Sequence, residues 1–276
     1  MIDRLLNIDR RIIFVFVFIG VAVPLLLDFN LPVKITPSSQ AMYDRIEQVA
    51  AEGEGIVLLS FSYGPSTVPE IQPMVLSILR HCFSHDLKVV AICLWPDAVG
   101  LAQQALETVS AEYGKEYGAD YAFMGYKPGG AIVIVNMGQD LHSAYPQDNW
   151  GKASSELEVT SNIHSLRDFD FVIDFAAGNS VDHWWVPYGQ EKYKFPLGAG
   201  CTAVVAPDLK PYQNSGQLVG MLGGLAGAAE YEKLVGQPGS ATAAMTSQSS
   251  THLILIAFIV LGNAMYFISR RSARSQ

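Results

Sequence analysis

The chain has 276 residues, of which 50% are hydrophobic and 16% are charged, and its formal net charge is −8. An ordinary soluble domain is about 25% charged, so this composition argues against a disordered chain, a coiled coil and a fully soluble protein. The acidic balance argues against a nucleic-acid partner. Three widely spaced cysteines, Cys82, Cys93 and Cys201, form neither a disulfide framework nor a zinc-binding pattern.

The first element is an apolar run, Ile12–Leu27, which Phe29 and Leu31 can extend. It approaches the roughly 20 residues that a membrane-spanning helix needs, although a buried core helix is the alternative. Two arginines precede the run, and basic residues stay on the cytoplasmic side of a membrane. A cleaved signal peptide fits less well, because Pro24 lies where its cleavage site should be.

The middle of the chain alternates strand-like and helix-like segments. The strand-like segments are apolar without polar alternation, which is typical of strands buried on both faces. The predicted strands are 56–62, 87–94, 121–125, 131–135, 169–175 and 201–206. The predicted helices begin at Ser38–Ser39, after the turn 63–69, at Asp97, at Val181 and at Ser215, and they end near Gly53, His85, Tyr117, Lys194 and Val235. This alternation predicts an α/β fold: a Rossmann-like layered domain with a mostly parallel sheet, flanked by N- and C-terminal transmembrane helices.

The last predicted helix of the domain is rich in glycine, and each glycine costs about 1 kcal/mol relative to alanine. The glycines suit close packing on the domain's own sheet, a self-association or partner surface, or a ligand loop that is not a helix. The aromatic residues near 185 suit either an anchor at the lipid boundary or the core. The predicted interaction candidates are Gly216, Gly220, Gly223, Gly224, Gly227, Trp184 and Trp185.

A second apolar run, Leu253–Ile268, is followed by three arginines. We therefore predict that both termini are cytoplasmic and that the main domain is extracytoplasmic. The tails carry +1 and +3, so the −8 of the whole chain leaves −12 for the segment between them. The predicted divisions are a tail at 1–11, a membrane helix at 12–31, the α/β domain at 32–235, a flexible linker at 236–251, a membrane helix at 252–269 and a tail at 270–276.

A parallel sheet of this kind places a ligand outside the carboxyl ends of its strands. Ser66 and Thr67 follow the first strand, where they either cap the next helix or help to bind an anion. Asp174, near the end of a strand, suits a base, a metal ligand, a ribose partner or a loop cap. The chain lacks the motifs GxGxxG, GxxxxGK[ST] and GxSxG. The predicted ligand-binding candidates are Ser66, Thr67, Glu70, Asp97, Asp174 and Asn179.

His81 and His85 stand four residues apart on a predicted helix, a spacing that can hold zinc. No glutamate lies between them and no third ligand is obvious in the sequence, so a solvated helix end is the preferred interpretation. We predict no metal and no cofactor, and the catalytic residues stay unassigned.

Several segments resemble a family of uncharacterised prokaryotic membrane proteins with two spans. The resemblance covers Leu58–Leu94 and Gly200–Leu234. It rests on Tyr63-Gly-Pro-Ser-Thr67 with Glu70, Leu79-Arg-His-Cys-Phe83, Gly125-Tyr-Lys-Pro-Gly-Gly130, Ala206-Pro-Asp-Leu209, Gly216-Gln-Leu-Val-Gly220 and Ala228-Ala-Glu-Tyr-Glu-Lys233. It implies a Rossmann-like extracytoplasmic domain between two spans and no particular activity.

Two functions remain open from the sequence, and a non-enzymatic one is favoured. The first is a structural, assembly or partner-binding subunit of a membrane complex, with the lipid bilayer and self-association or other membrane proteins as partners. The second is a small-molecule or anion-binding domain, or a hydrolytic one, that uses the crevice at the strand ends. The second requires the predicted ligand-binding residues to converge on one pocket. A regulatory subunit of a transporter or secretion complex is a third, weaker interpretation.

Overall fold

A computed structural model of the chain describes residues 9–26 and 32–274. The chain divides into two compact units. One is Val33–Ala241, close to the domain predicted at 32–235, and the other comprises the two terminal segments.

The terminal unit contains helix α1, Arg10–Leu26, and most of helix α10, Ser240–Arg274. The two helices contact each other within this unit, where the rings of Phe16 and Phe258 lie 5.6 Å apart. Their other apolar side chains are largely exposed, including Phe18 at 70%.

Among the described residues, one helical segment is long and apolar enough to cross a membrane. It is Ser240–Ile268, with a mean hydropathy of 2.0 over its most apolar window, and it meets the requirement by length and composition. Helix α1 has 17 residues, and residues 27–31 of the predicted first span lie outside the described residues. The N-terminal span therefore stays a prediction.

The domain is built on a six-stranded, all-parallel sheet with the order β3-β2-β1-β4-β5-β6. This confirms the predicted α/β class and parallel sheet. The strands are β1 (Ile56–Ser62), β2 (Lys88–Cys93), β3 (Tyr121–Tyr126), β4 (Phe171–Ala176), β5 (Leu197–Cys201) and β6 (Met221–Gly223).

Helices connect and cover the strands. They are α2 (Pro37–Glu52), α3 (Val68–Ser84), α4 (Val99–Tyr113), α5 (Ala131–Gln139), α6 (Leu141–Ala144), a π-helix (Val181–Gln190) continued by α7 (Glu191–Tyr193), α8 (Ala206–Asn214) and α9 (Gly224–Leu234). Short 3-10 turns occur at Pro65–Thr67, Pro96–Ala98, Ser154–Glu156 and Leu166–Asp168. Every residue of β1 and β4 is buried, which explains why both strands read as apolar runs.

Three predicted elements of the domain are wrong. Residues 131–135, predicted as a strand, form the start of α5, and a short apolar run does not distinguish the two conformations. The strand predicted at 201–206 is β5, which ends at Cys201. The long helix predicted at 215–235 is a loop, the short strand β6 and then α9.

Smaller differences concern helix ends. Thr36, with Pro37 after it, caps α2 in place of the predicted serines. Asp97 makes no capping hydrogen bond, and α4 ends at Tyr113. The segment predicted as a flexible linker at 236–251 is helical from Ser240 onward.

Candidate functional site

The strand order reverses between β1 and β4, which are neighbours in the sheet although they are far apart in the chain. In open α/β sheets, ligands bind in the crevice outside the carboxyl ends of the strands at such a switch point. We call the region formed by the loops after β1, β2, β4 and β5 the strand-end region. All six predicted ligand-binding residues lie in these loops or in the segments joined to them.

Asp174 of β4 is fully buried below the strand-end region. It is paired in register with Ser60 of β1, so both side chains point to the same face of the sheet. Its carboxylate accepts hydrogen bonds from Ser62, at 2.9 Å, and from Ser180 in the loop after β4. The Trp185 indole donates to Ser60 over 3.3 Å. Asp174 thus ties β1 to the loop that follows β4.

Burial raises the pKa of Asp174 to about 6, against an ordinary value of 3.8. Polar contacts from Ser180, Ser60, Ser62 and Trp185 oppose this change, because they favour the ionised form. Asp174 is enclosed by protein, so its direct role is to hold the strand ends together. Of the roles predicted for Asp174, the structure favours that of a loop cap.

The other predicted residues make separate contacts around the strand ends. Ser66 is exposed, and the Thr67 hydroxyl donates to the carbonyl of Gly64 at 3.0 Å. Glu70 accepts a hydrogen bond of 2.9 Å from the backbone amide of Ala203, which joins the start of α3 to the loop after β5. Asp97 is exposed beside Gly64. The ligand site that requires all of them in one pocket stays a prediction.

A cavity of about 220 Å³ opens between the loops that follow β4 and β5, and Asn179 is the one predicted residue that lines it. Asp182, His183 and Asp208 also line it, together with Gly178 and Val205. The buried Oδ1 atom of Asp182 has no hydrogen-bond partner among the described residues. An unpaired buried acceptor is costly, so this atom is a position at which a ligand donor would be favourable.

Sequence reasoning missed Asp182, His183 and Asp208. The available signal was their position, because each lies within the first helical turns after a strand of the parallel sheet. What the sequence could not show is that the turns after β4 and β5 face one another.

The predicted interaction glycines are used mainly inside the domain. A Cβ atom on Gly220 would lie 2.5 Å from the carbonyl oxygen of Ser38, and one on Gly227 would lie 2.8 Å from the backbone of Leu222. Gly223 and Gly224 likewise approach the loop after β5 and the start of α8, and the φ angle of Gly224 is +58°. Gly216 has open space around its Cα and a φ angle of +78°. These contacts support the packing interpretation of the glycines.

The two tryptophan candidates differ in their burial. Trp185 is fully buried, which favours the core alternative for this residue. Trp184 is half-buried and packs over Gly130.

A second, more apolar cavity of about 400 Å³ lies beside the edge strand β3. Its aromatic lining consists of Tyr117, Tyr121 and Trp150, and Trp150 is 52% exposed. The Tyr117 hydroxyl donates to Asp148 at 2.7 Å. We call this surface the β3-edge aromatic patch.

No protein-family model matches the chain, and a search of curated proteins finds no match. The resemblance to two-span prokaryotic membrane proteins therefore stays a prediction.

Proposed function

We propose that this protein is a membrane-anchored α/β domain that binds a small cationic ligand in the cavity between the loops after β4 and β5. The observation that carries the proposal is the unpaired, buried Oδ1 of Asp182, a residue that lines that cavity. The cavity also lies at the carboxyl ends of the strands, one strand away from the switch point between β1 and β4.

The chemistry of the lining selects the ligand class. Asp182 and Asp208 bring two carboxyl groups to one small cavity, and Asn179 adds an amide. Two carboxylates repel an anion and attract an ammonium group, which also supplies the N–H donors that the free acceptor needs. The volume of about 220 Å³ lies below the roughly 300–1,000 Å³ of pockets that hold drug-sized molecules, so the ligand is small.

The test is a thermal-shift titration of the full chain in detergent with putrescine, spermidine and lysine, compared with inorganic phosphate and citrate. We expect at least one amine to raise the melting temperature of the wild type and not that of Asp182→Asn. Asp44→Asn, which removes an exposed carboxylate from α2, is the matched control. The proposal fails if the amines have no effect, or if Asp182→Asn responds as the wild type does.

We also propose the arrangement in the membrane that the flanking arginines indicate, with both tails cytoplasmic and the domain extracytoplasmic. The apolar segment Ser240–Ile268 supports one of the two spans. All three native cysteines are free and buried, so the wild type offers little background to a thiol reagent. A membrane-impermeant maleimide should label Ser161→Cys on the exposed domain surface of intact cells and should not label Ser272→Cys. The reverse pattern would contradict this topology.

A second candidate function is the partner-binding role. The β3-edge aromatic patch favours it, because exposed tryptophan and tyrosine are enriched in protein interfaces. We expect Trp150→Ser to abolish crosslinks between the chain and a partner in native membranes, or between copies of the chain, while Trp184→Ser retains them. Crosslinks that are unchanged in Trp150→Ser would remove the patch from consideration.

A further inference from the structure

A second cluster of polar side chains lies away from the strand-end region. His81 lies in the last turn of α3, His85 directly follows the end of that helix, and Glu47 on α2 faces both of them. The Glu47 Oε1 atom lies 3.1 Å from Nε2 of His81 and 3.6 Å from Nε2 of His85. His81 is about 16 Å along α3 from Glu70, at a rise of 1.5 Å per residue, so the cluster is separate from the strand-end region.

We infer that Glu47, His81 and His85 form a binding site for a divalent transition-metal ion, with Zn²⁺ as the best fit. Their three ligand atoms lie within 4.8 Å of one another. Two imidazoles and one carboxylate are an established donor set for zinc sites that keep an open position. Zinc bonds of about 2.0–2.1 Å in a tetrahedral arrangement place ligand atoms about 3.3 Å apart, close to the separations of 3.1 Å and 3.6 Å between Glu47 and the two histidines.

The surroundings of the two histidines match those of metal ligands. A ligating histidine commonly donates its second ring N–H to a carbonyl, a carboxylate or a water molecule, which fixes the tautomer. The Nδ1 atom of His85 lies 3.1 Å from the carbonyl oxygen of His81. The Nδ1 atom of His81 lies 2.8 Å from the hydroxyl of Tyr231 on α9, which can accept its proton. Without an ion, Nε2 of His81 forms a hydrogen bond of 3.1 Å with Glu47, and an ion bound to both groups would replace this bond.

Tyr43, which also lies on α2, packs against the cluster. Its ring stacks on His81 at a centroid distance of 4.5 Å. A hydrogen bond from Tyr43 lowers the pKa of Glu47, and burial lowers the pKa of His81.

The cluster is partly open to solvent. The side chain of His81 is 2% exposed, whereas those of His85 and Glu47 are 36% and 38% exposed. An ion held here would keep a coordination position toward the solvent, available to water or to a group of another molecule. Alkaline-earth ions prefer oxygen ligands, so two imidazoles disfavour Mg²⁺ and Ca²⁺.

The proposal is tested by titrating Zn²⁺ into the full chain, purified in detergent without a polyhistidine tag, by calorimetry. Co²⁺ provides a second readout through its visible absorption in a four-coordinate site. We expect one Zn²⁺ per chain, and at least a ten-fold loss of affinity in both Glu47→Gln and His85→Ala. These two side chains are partly exposed, so both variants should fold, which circular dichroism verifies.

Two further variants separate a built site from adventitious binding. Glu52→Gln and His164→Ala alter an exposed carboxylate and an exposed imidazole elsewhere on the domain, and they should bind Zn²⁺ as the wild type does. Tyr231→Phe removes the acceptor for His81 and should weaken binding about 10- to 100-fold without changing the stoichiometry. The proposal is overturned if the wild type binds no Zn²⁺, or if either Glu47→Gln or His85→Ala retains wild-type affinity.

Discussion

Replacement of the buried carboxyl group by an amide, Asp174→Asn, gives a prediction with a defined pH dependence. The folded-state pKa of about 6 is higher than the ordinary 3.8 because burial penalises the charged form. The folded state therefore binds more protons than the unfolded state between these values, so the stability of the wild type falls as the pH rises through this window. The full difference corresponds to about 3 kcal/mol.

Asparagine has nearly the same shape as aspartate and does not ionise. Its carbonyl can accept from one serine of the cluster, and its amide can donate to the other, since a hydroxyl rotates to accept. We expect the free energy of unfolding of Asp174→Asn, relative to the wild type, to rise by about 2–3 kcal/mol between pH 4 and pH 7.

The assay is chemical denaturation of both proteins in the same detergent, followed by tryptophan fluorescence at several pH values. Comparing the two proteins at each pH cancels the groups that they share. Asp44→Asn, on the surface of α2, should show no comparable pH dependence. A difference that is constant with pH, with the variant less stable throughout, would show that Asp174 has an ordinary pKa and would refute the reasoning.

Three further substitutions test the packing of the domain through the free energy of unfolding. Gly220→Ala should destabilise the domain by about 1–3 kcal/mol, because the new methyl group would meet backbone atoms. Gly100→Ala is the control: it has open space in α4 and should be neutral or stabilising by up to about 1 kcal/mol. Equal effects of the two substitutions would contradict the close approach at Gly220. Glu70→Gln should cost about 1–2 kcal/mol, since it weakens a charge-assisted bond to the Ala203 amide, and no change would show that this bond contributes little. Trp185→Ala should cost about 3–5 kcal/mol because the side chain is fully buried, and a loss below 1 kcal/mol would place it outside the core.

The parallel sheet was predictable from local sequence because three of its central strands are apolar on both faces. Residues 56–62, 87–94 and 169–175 closely match β1, β2 and β4, since a strand covered by helices on both sides needs no polar alternation. The short strand β6 was not predictable, because the glycines in and around it also fit a tightly packed helix. The prediction of a strand at residues 131–135 was wrong for a related reason. In α5, Val133, Ile134 and Met137 are buried while Ile132 is 66% exposed, a helical pattern too short to recognise in an apolar run.

By itself the sequence determined the α/β class, the apolar and basic character of the chain ends and the edge of the sheet where a ligand site was expected. These properties depend on composition and on periodicity within single segments. Only the tertiary structure decided which side chains meet. It set the turn containing Asp182 against the one containing Asp208, and it brought Glu47 to His81 and His85 from a separate helix. Such contacts arise from the packing of helices on a twisted sheet, and no local pattern in the chain records them.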